Sequence, residues 1–256
     1  MPRKATLTCT LGARSCPFDA WRVEAGQVFA AAYALDCETT LLDPARHWEA
    51  PAFVLGAACD GARGFFLPRD RVLPFLRAHR DVPVAFHNAP FDLRVLHRLA
   101  AEQGAGLDVY DLVERDLAWD TLLLHRLLLL ATEGRSAPGR GQSTLERCAE
   151  LYLGCQLHKD ARDAGGNDVR TSFGRYLGRD PREIEPAYLE YLARDALATA
   201  CLRDELLDRL LGVLEGSRTA KKTAAVLKTA SSSRTSMPFR ITASDQRTKP
   251  FVERSQ

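Results

Sequence analysis

The 256-residue chain lacks any hydrophobic run long enough to cross a membrane, which takes about 20 apolar residues in succession. Its first residues, Met1-Pro2-Arg3-Lys4, are not followed by the apolar stretch of a signal peptide. Membrane and secreted classes are therefore not indicated by the sequence, and we expect a cytoplasmic protein.

Paired cysteines are also lacking. The seven cysteines are odd in number and scattered, and no two of them form a C-x-x-C pair. Disulfide frameworks and structural zinc sites depend on such pairs or on regular spacing, so neither is predicted. We expect reduced thiols that pack in the core as small apolar side chains.

Net charge is low, because 35 basic residues stand against 33 acidic ones, a total of +2. The charge is uneven along the chain: residues 217–256 hold nine basic and two acidic residues, whereas the first 216 residues are net −5. Residues 216–256 are rich in Ser, Thr and Lys without a period, which predicts a disordered basic tail. Such a tail can add sequence-independent affinity for nucleic acid, or it can simply be solvated.

Apolar residues, by contrast, make up 46% of the chain, enough to bury the core of one domain. Short apolar runs predict strands, and apolar residues every three to four positions predict helices. The predicted strands cover residues 28–35, 53–59, 64–67 and 82–86, and the predicted helices cover 70–79, 121–130, 144–153 and 184–214, with another beginning near 88. Strands come first and then alternate with helices, which predicts an α/β fold with a mixed sheet.

Three segments fall outside this pattern. Residues 1–27 are weakly patterned and are interpreted as an N-terminal arm with at most a short strand. Residues 134–141 are rich in Gly and predict a flexible loop. Residues 159–182 are polar and Gly-rich, and we expect them to form a mobile surface excursion.

A pair of acidic residues ends the first apolar run, which leads directly into Asp36-Cys37-Glu38-Thr39. Because residues i and i+2 of a strand project to the same face, Asp36 and Glu38 present two carboxylates side by side. Two such charges are costly together unless a cation neutralises them. Oxygen ligands of this kind suit Mg²⁺ or Mn²⁺, so the pair predicts a metal site.

Two further acidic residues fall on predicted helices. Asn88, a candidate N-cap, and Asp92 lie four residues apart and so share a helix face. Tyr191 and Asp195 have the same spacing in the last helix. Asp120 is interpreted instead as the cap of the helix that follows it. Each pattern alone occurs by accident, but all three acidic motifs in this order are roughly a one-in-a-thousand coincidence.

These residues resemble the motifs of the DEDD superfamily of 3′-5′ exonucleases, in its tyrosine subgroup, and most closely the proofreading domain of family A DNA polymerases. The matching motifs are Asp36-x-Glu38-Thr39, Asn88-x-x-Phe91-Asp92 and Tyr191-x-x-x-Asp195. The resemblance covers about residues 28 to 212 and implies an exonuclease domain over residues 28–215. It also implies an RNase H-like fold, a mixed five-stranded sheet with flanking helices.

The resemblance further implies a site for two divalent metal ions, Mg²⁺ or Mn²⁺. Asp36, Glu38 and Asp195 would hold the ion that binds the attacking water, and Asp36 and Asp92 would serve the other. Tyr191 would orient the water by hydrogen bonding, since a phenol with a pKa of about 10 is a poor general base at neutral pH.

The implied reaction releases nucleoside monophosphates from the 3′ end of single-stranded DNA, as in proofreading during DNA replication. Thr39 and Asn88 would contact the terminal nucleotide, and Leu42 is the implied apolar wedge against its base. The end must be unpaired, because unstacking a paired base costs roughly a few kcal/mol. A DNA polymerase is the implied partner, while polymerisation by this chain is not predicted.

Two alternatives fit the same motifs. An exonuclease of the ribonuclease D type would act on RNA with the same residues and chemistry. Against it, the sequence shows no helical repeat domain after the nuclease core. A catalytically silent module would bind nucleic acid without cutting it, but such a module has no need to retain four costly carboxylates and the tyrosine.

Overall fold

The computed structural model describes residues 7–22, 26–134, 139, 141–157 and 159–216. In these residues a mixed sheet of seven strands has the order β1-β2-β5-β4-β3-β6-β7. The strands are β1 Leu7–Leu11, β2 Arg14–Ala20, β3 Tyr33–Thr39, β4 Phe53–Cys59, β5 Gly64–Pro68, β6 Val84–Phe86 and β7 Ala118–Asp120. The helices are α1 Val72–Ala78, α2 Ala89–Glu102, α3 Asp111–Glu114, α4 Thr121–Glu133, α5 Leu145–Cys148, α6 Val169–Ser172 and α7 Pro186–Gly216. The predicted mixed α/β class is confirmed.

The sheet has two more strands than the five predicted. Strands β3 to β7 form one part, in which β3 is antiparallel to β4 and parallel to β6. The added strands β1 and β2 form a hairpin, and β2 runs parallel to β5. Part of the predicted N-terminal arm, residues 7–20, therefore extends the sheet, and Phe18 is fully buried there.

The strand predicted over residues 28–35 begins only at Tyr33. The apolar Phe29 lies before the strand, where its ring stacks on Tyr33 with 5.2 Å between ring centroids. Its backbone N–H donates to Nε2 of the buried His79 over 2.9 Å. The apolar character of this stretch therefore reflects burial in the core as well as strand pairing.

Helices cover both faces of the sheet, and β3 contributes alternate side chains to each. Leu35 and Cys37 belong to the apolar cluster that contains α1 and α2. Ala34 belongs to the opposite cluster, which is built largely on α7. Because strand side chains alternate, Asp36 and Glu38 project to the α7 side with Ala34. The layering thus decides which helix faces the carboxylates.

Residues 159–182 do not form the surface excursion that the sequence predicts. They contain α6 and two short 3₁₀ turns, and Phe173 is fully buried among the side chains of α7. The carboxylate of Asp163 pairs with Arg175 at 2.6 Å and accepts a hydrogen bond from Tyr188 at 3.0 Å. The segment packs through such polar contacts, which have no apolar period, so the sequence pattern missed it.

Two predictions fall on residues that the structure does not describe, namely the basic tail beyond residue 216 and most of the loop over 134–141.

The helix predicted over 144–153 is present as α5 followed by a π-helical turn, Ala149–Leu153. Gly154 ends it with a left-handed φ of 64°. All seven cysteines are free thiols, six of them buried. None of the described helices is long and apolar enough to span a membrane.

Gly64→Ala should destabilise the protein, because a Cβ at this position would lie 2.3 Å from the ring of the buried Phe18. We expect a loss of about 1–3 kcal/mol in the free energy of unfolding. Gly212→Ala is the matched control, since a Cβ there meets nothing within 4 Å on α7, and it should stabilise by about 0.5–1 kcal/mol. Urea denaturation measures both. Equal stability of the two variants would contradict the close packing of Phe18.

Candidate active site

Two of the predicted carboxylates lie at the carboxyl end of β3. Asp36 and Glu38 are both half-buried and project toward α7. The pairing of β3 with β4 becomes irregular directly after Glu38. The strand therefore presents its two acids where its regular hydrogen bonding ends.

The long helix α7 supplies the third carboxylate. Tyr191 and Asp195 lie one turn apart on its buried face, with 5% and 6% of their surfaces exposed. One carboxylate oxygen from each of Asp36, Glu38 and Asp195 lies within 4.8 Å of the others. Three of the four predicted metal ligands thus come together, and Tyr191 lies one helical turn away.

Asp92 lies on the other layer of the fold. It is buried on α2, where it interacts with the thiol and backbone N–H of Cys37. Desolvation and the charge of Asp36 raise the pKa of Asp92 well above its ordinary value. Asp92 is not a member of the three-carboxylate group, but its charge also raises the pKa of Glu38. It therefore belongs to the same electrostatic site from the opposite side of β3.

The three clustered carboxylates all have raised pKa values. Desolvation, followed by the charge of Asp195, raises the pKa of Asp36 to about 7. Desolvation and the charge of Asp36 raise the pKa of Glu38 well above its usual range. Desolvation also raises the pKa of Asp195, although the ammonium of Lys159 acts in the opposite direction. All three carboxylates are ionised at neutral pH only when a bound cation offsets their charge.

Lys159 is the site residue that sequence reasoning missed. Its Nζ forms an ion pair with the Asp195 carboxylate, donates to the Tyr191 hydroxyl over 3.2 Å, and lies 4.6 Å from the centroid of the Tyr191 ring. Lys159 lies in the segment predicted to be a surface excursion, and a single Lys in a polar stretch carries no periodic signal. It supplies one positive charge against three negative ones.

The donor set fits a hard divalent cation. Carboxylate oxygens are the ligands that Mg²⁺ and Mn²⁺ prefer, and three of them converge here with a surplus of negative charge. Desolvation raises the pKa of Tyr191 well above its ordinary value, so the phenol stays protonated and can donate a hydrogen bond. The arrangement can hold a divalent cation and present an O–H donor beside it.

Asn88 occupies the N-cap position of α2, as predicted, but its backbone is left-handed, with φ of 73°, and its side chain makes no capping hydrogen bond. Instead, the carboxylate of Asp120 accepts hydrogen bonds from the backbone N–H groups of Asn88 and Ala89, at 2.9 and 3.1 Å. Asp120 also caps α4 through the N–H of Leu122, which confirms its predicted role.

The other predicted substrate contacts border the carboxylates. The Thr39 hydroxyl donates to the Thr40 carbonyl over 2.9 Å, directly after Glu38 on the chain. Leu42 lies on the loop that follows, with 53% of its surface exposed. Asn88 is exposed at the start of α2. None of the three is held in the core by its side chain, so all remain accessible to a ligand.

Comparison with known proteins gives structural neighbours only. No family model matches the chain, and no curated protein matches its sequence. A solved structure described as the apo form of a nuclease is 21% identical over 84% of this chain and 89% of that one, with a TM-score of 0.51. The likeness shows that this chain shares its fold.

Two further solved structures resemble this chain with lower TM-scores. Escherichia coli RNase D, an exoribonuclease involved in structured RNA processing, has a TM-score of 0.49 at 18% identity, covering 82% of this chain and 47% of that one. The EXO domain of Aedes aegypti Nibbler has a TM-score of 0.48 at 14% identity, covering 77% and 85%. This chain spans about half the length of the RNase D chain that it matches.

Asp36→Asn should stabilise the metal-free protein, and the gain should grow as pH rises. Because the folded-state pKa of Asp36 is about 7, against 3.8 ordinarily, the folded protein binds more protons between these values and loses stability as pH increases. The variant does not lose stability in this way. The difference in the free energy of unfolding between the two proteins should therefore increase from pH 4 to pH 7, to roughly a few kcal/mol.

Thermal unfolding in EDTA measures this difference. Burial lowers the pKa values of His79, His87 and His125, but these groups are shared by both proteins and cancel in the comparison. Mg²⁺ should stabilise the wild type and leave the variant nearly unchanged. A difference that is constant with pH would contradict the raised pKa of Asp36.

Lys159→Met should destabilise the metal-free protein and tighten metal binding. The ammonium neutralises Asp195, and a divalent cation has to displace it. We expect a Tm several degrees lower in EDTA and an affinity for Mn²⁺ that is higher by roughly threefold or more. Lys159→Arg keeps the charge and is the control. Titration calorimetry with Mn²⁺ measures the affinity, and equal values for all three proteins would show that Lys159 does not compete.

Proposed function

We propose that this chain is a two-metal-ion 3′-5′ exonuclease of the DEDD superfamily, in its tyrosine subgroup, that hydrolyses single-stranded DNA to nucleoside monophosphates. The observation that carries the proposal is the convergence of Asp36, Glu38 and Asp195 within 4.8 Å beside a protonated Tyr191. The fold shared with a structure described as a nuclease supports it.

Asp36, Glu38 and Asp195 are the proposed ligands of the ion beside the attacking water. Asp92 approaches Asp36 from the opposite side of β3, as a ligand of the second ion would. When bound, two divalent ions supply charge stabilisation for the attacking and leaving oxygens of an in-line displacement.

The chain's own groups position the water and the scissile phosphate. The protonated Tyr191 hydroxyl orients the attacking water by hydrogen bonding, because it does not ionise at neutral pH. Lys159 forms an ion pair with Asp195, and its ammonium would be free to bind a phosphate oxygen if that carboxylate held a metal ion. Thr39, Leu42 and Asn88 are the proposed contacts to the terminal nucleotide.

The proposed substrate is an unpaired 3′ end, because a base in a duplex has to unstack before its phosphodiester can reach the carboxylates. A DNA polymerase that leaves a mismatched, frayed 3′ end is the proposed partner. The same carboxylate chemistry acts on RNA, so the sugar preference is decided by measurement of relative rates.

Asp36→Asn should abolish hydrolysis of a 5′-labelled single-stranded oligonucleotide while leaving the protein folded. The wild type should produce a ladder that shortens from the 3′ end with Mg²⁺ or Mn²⁺ and not with EDTA. We expect the variant to lose about 10³-fold or more in rate, because a ligand shared by both ions is removed. Asp111→Asn, an exposed acid on α3, is the matched control and should keep full activity.

Parallel reactions on DNA and RNA of the same sequence test the substrate class. Faster shortening of DNA supports the proofreading-type proposal, and faster shortening of RNA would replace it with a ribonuclease D-type activity. Intact substrate in every lane together with a retained gel shift would make this chain a silent binding module.

A further inference from the structure

The loop between β3 and β4 exposes an unusual amount of apolar surface. Leu41, Leu42 and Trp48 are 67%, 53% and 64% exposed, and they are three of the nine large apolar side chains that are exposed in the described part of the chain. Concentrated apolar exposure on a folded protein marks a binding surface more often than scattered exposure does. Trp48 is the most exposed aromatic residue among them.

The backbone of this loop is fixed although its side chains face solvent. At its base, Thr40 donates to the Ala52 carbonyl over 2.9 Å, and the Ala52 N–H donates to the Thr40 hydroxyl over 3.0 Å. Further along, Arg94 donates to the Trp48 carbonyl, and Arg98 donates to the carbonyl two residues beyond it. The loop is therefore tied to α2 at two points, and its apolar side chains are held outward.

The loop is anchored to two elements that carry carboxylates of the site. It begins shortly after Glu38 at the end of β3, and it is tied to α2 at Arg94, two residues after Asp92. Both elements that anchor the loop thus carry carboxylates of the site. A strand whose 3′ end reached these carboxylates would pass beside the loop.

One cation on this surface is available to bind a phosphate. Arg94 is exposed, and no ion pair is formed by it within the described ranges. A guanidinium has five N–H donors, so the bond to the Trp48 carbonyl leaves others free. Arg46, by contrast, is already paired with Asp43 and Glu49 at 2.9 and 3.3 Å. Arg94, on α2 beside the loop, is therefore a cation that can bind a phosphate.

We propose that Trp48 and Arg94 form a subsite for single-stranded nucleic acid, in which Trp48 stacks on a base upstream of the last two nucleotides and Arg94 binds the adjoining phosphate. The proposal rests on the proposed exonuclease function and extends it beyond the terminal nucleotide. Aromatic stacking with a nearby cation is how proteins bind single strands without reading their sequence. Stacking on the exposed indole ring needs no rearrangement of the core.

Trp48→Ala tests the subsite. The affinity for a 5′-labelled oligonucleotide of about 12 residues, measured by fluorescence anisotropy in EDTA, should fall by roughly tenfold. Hydrolysis of a dinucleotide with Mg²⁺ should be unchanged, because it has one nucleotide on each side of the scissile phosphate and ends before the subsite. Arg94→Gln should also weaken binding of the long strand and lower its salt dependence by about one phosphate contact.

Tyr110→Ala is the matched control. Tyr110 is an exposed aromatic residue, at 37%, that packs on His97 with 5.3 Å between ring centroids, the same separation as between His47 and Trp48. It precedes β7, whereas the carboxylates lie where β3 ends, and strands β3, β6 and β7 run parallel. It therefore lies toward the opposite edge of the sheet, and its loss should leave binding of both substrates unchanged.

Wild-type affinity of Trp48→Ala for the long strand, with Asp36-dependent hydrolysis intact, would overturn the subsite and leave the proposed function standing. A wild-type protein that neither binds nor shortens any oligonucleotide would overturn the proposed function and the subsite together. Weaker binding of the long strand by Trp48→Ala, with wild-type binding by Tyr110→Ala, supports the subsite.

Discussion

Repulsion among desolvated carboxylates is the constraint on which the rest of this structure depends. Asp36, Glu38 and Asp195 lie within 4.8 Å of one another, and their pKa values are raised because removal from water and like charge both disfavour ionisation. Such a group is tolerated only where the surrounding packing fixes it. Here a central strand and a 31-residue helix provide that packing, and the ammonium of Lys159 offsets part of the charge.

The mixed sheet explains why two separate sequence motifs meet. β3 lies between β4 and β6, so both of its faces are covered by helices. Its alternation sends Asp36 and Glu38 toward α7 and Cys37 toward α2, where Asp92 contacts it. Acids from α7 and α2 therefore approach the end of one strand from opposite layers. The site exists because both helices pack against the same strand.

The sequence predicted the parts of the site that depend on local geometry. The i, i+2 spacing in β3 and the i, i+4 spacing in α7 each place side chains on one face whatever the surrounding fold, and Asp36, Glu38 and Asp195 do come together. Lys159 was missed because its position depends on long-range packing of residues 159–182, which follows no period. The added hairpin β1-β2 was missed although β1 alternates apolar and polar residues, because the alternation extends over only five residues.

Asp120 shows how a residue with a purely local prediction can also position the site. The sequence predicted that Asp120 caps α4. Its carboxylate also accepts hydrogen bonds from the backbone N–H groups of Asn88 and Ala89 at the start of α2. These bonds satisfy backbone N–H groups that have no partner within the helix at its start. The first turn of α2 is thereby fixed to the end of β7, and Asp92 is carried on that turn. The position of Asp92 beside β3 is thus set by an acidic residue that is itself outside the carboxylate group.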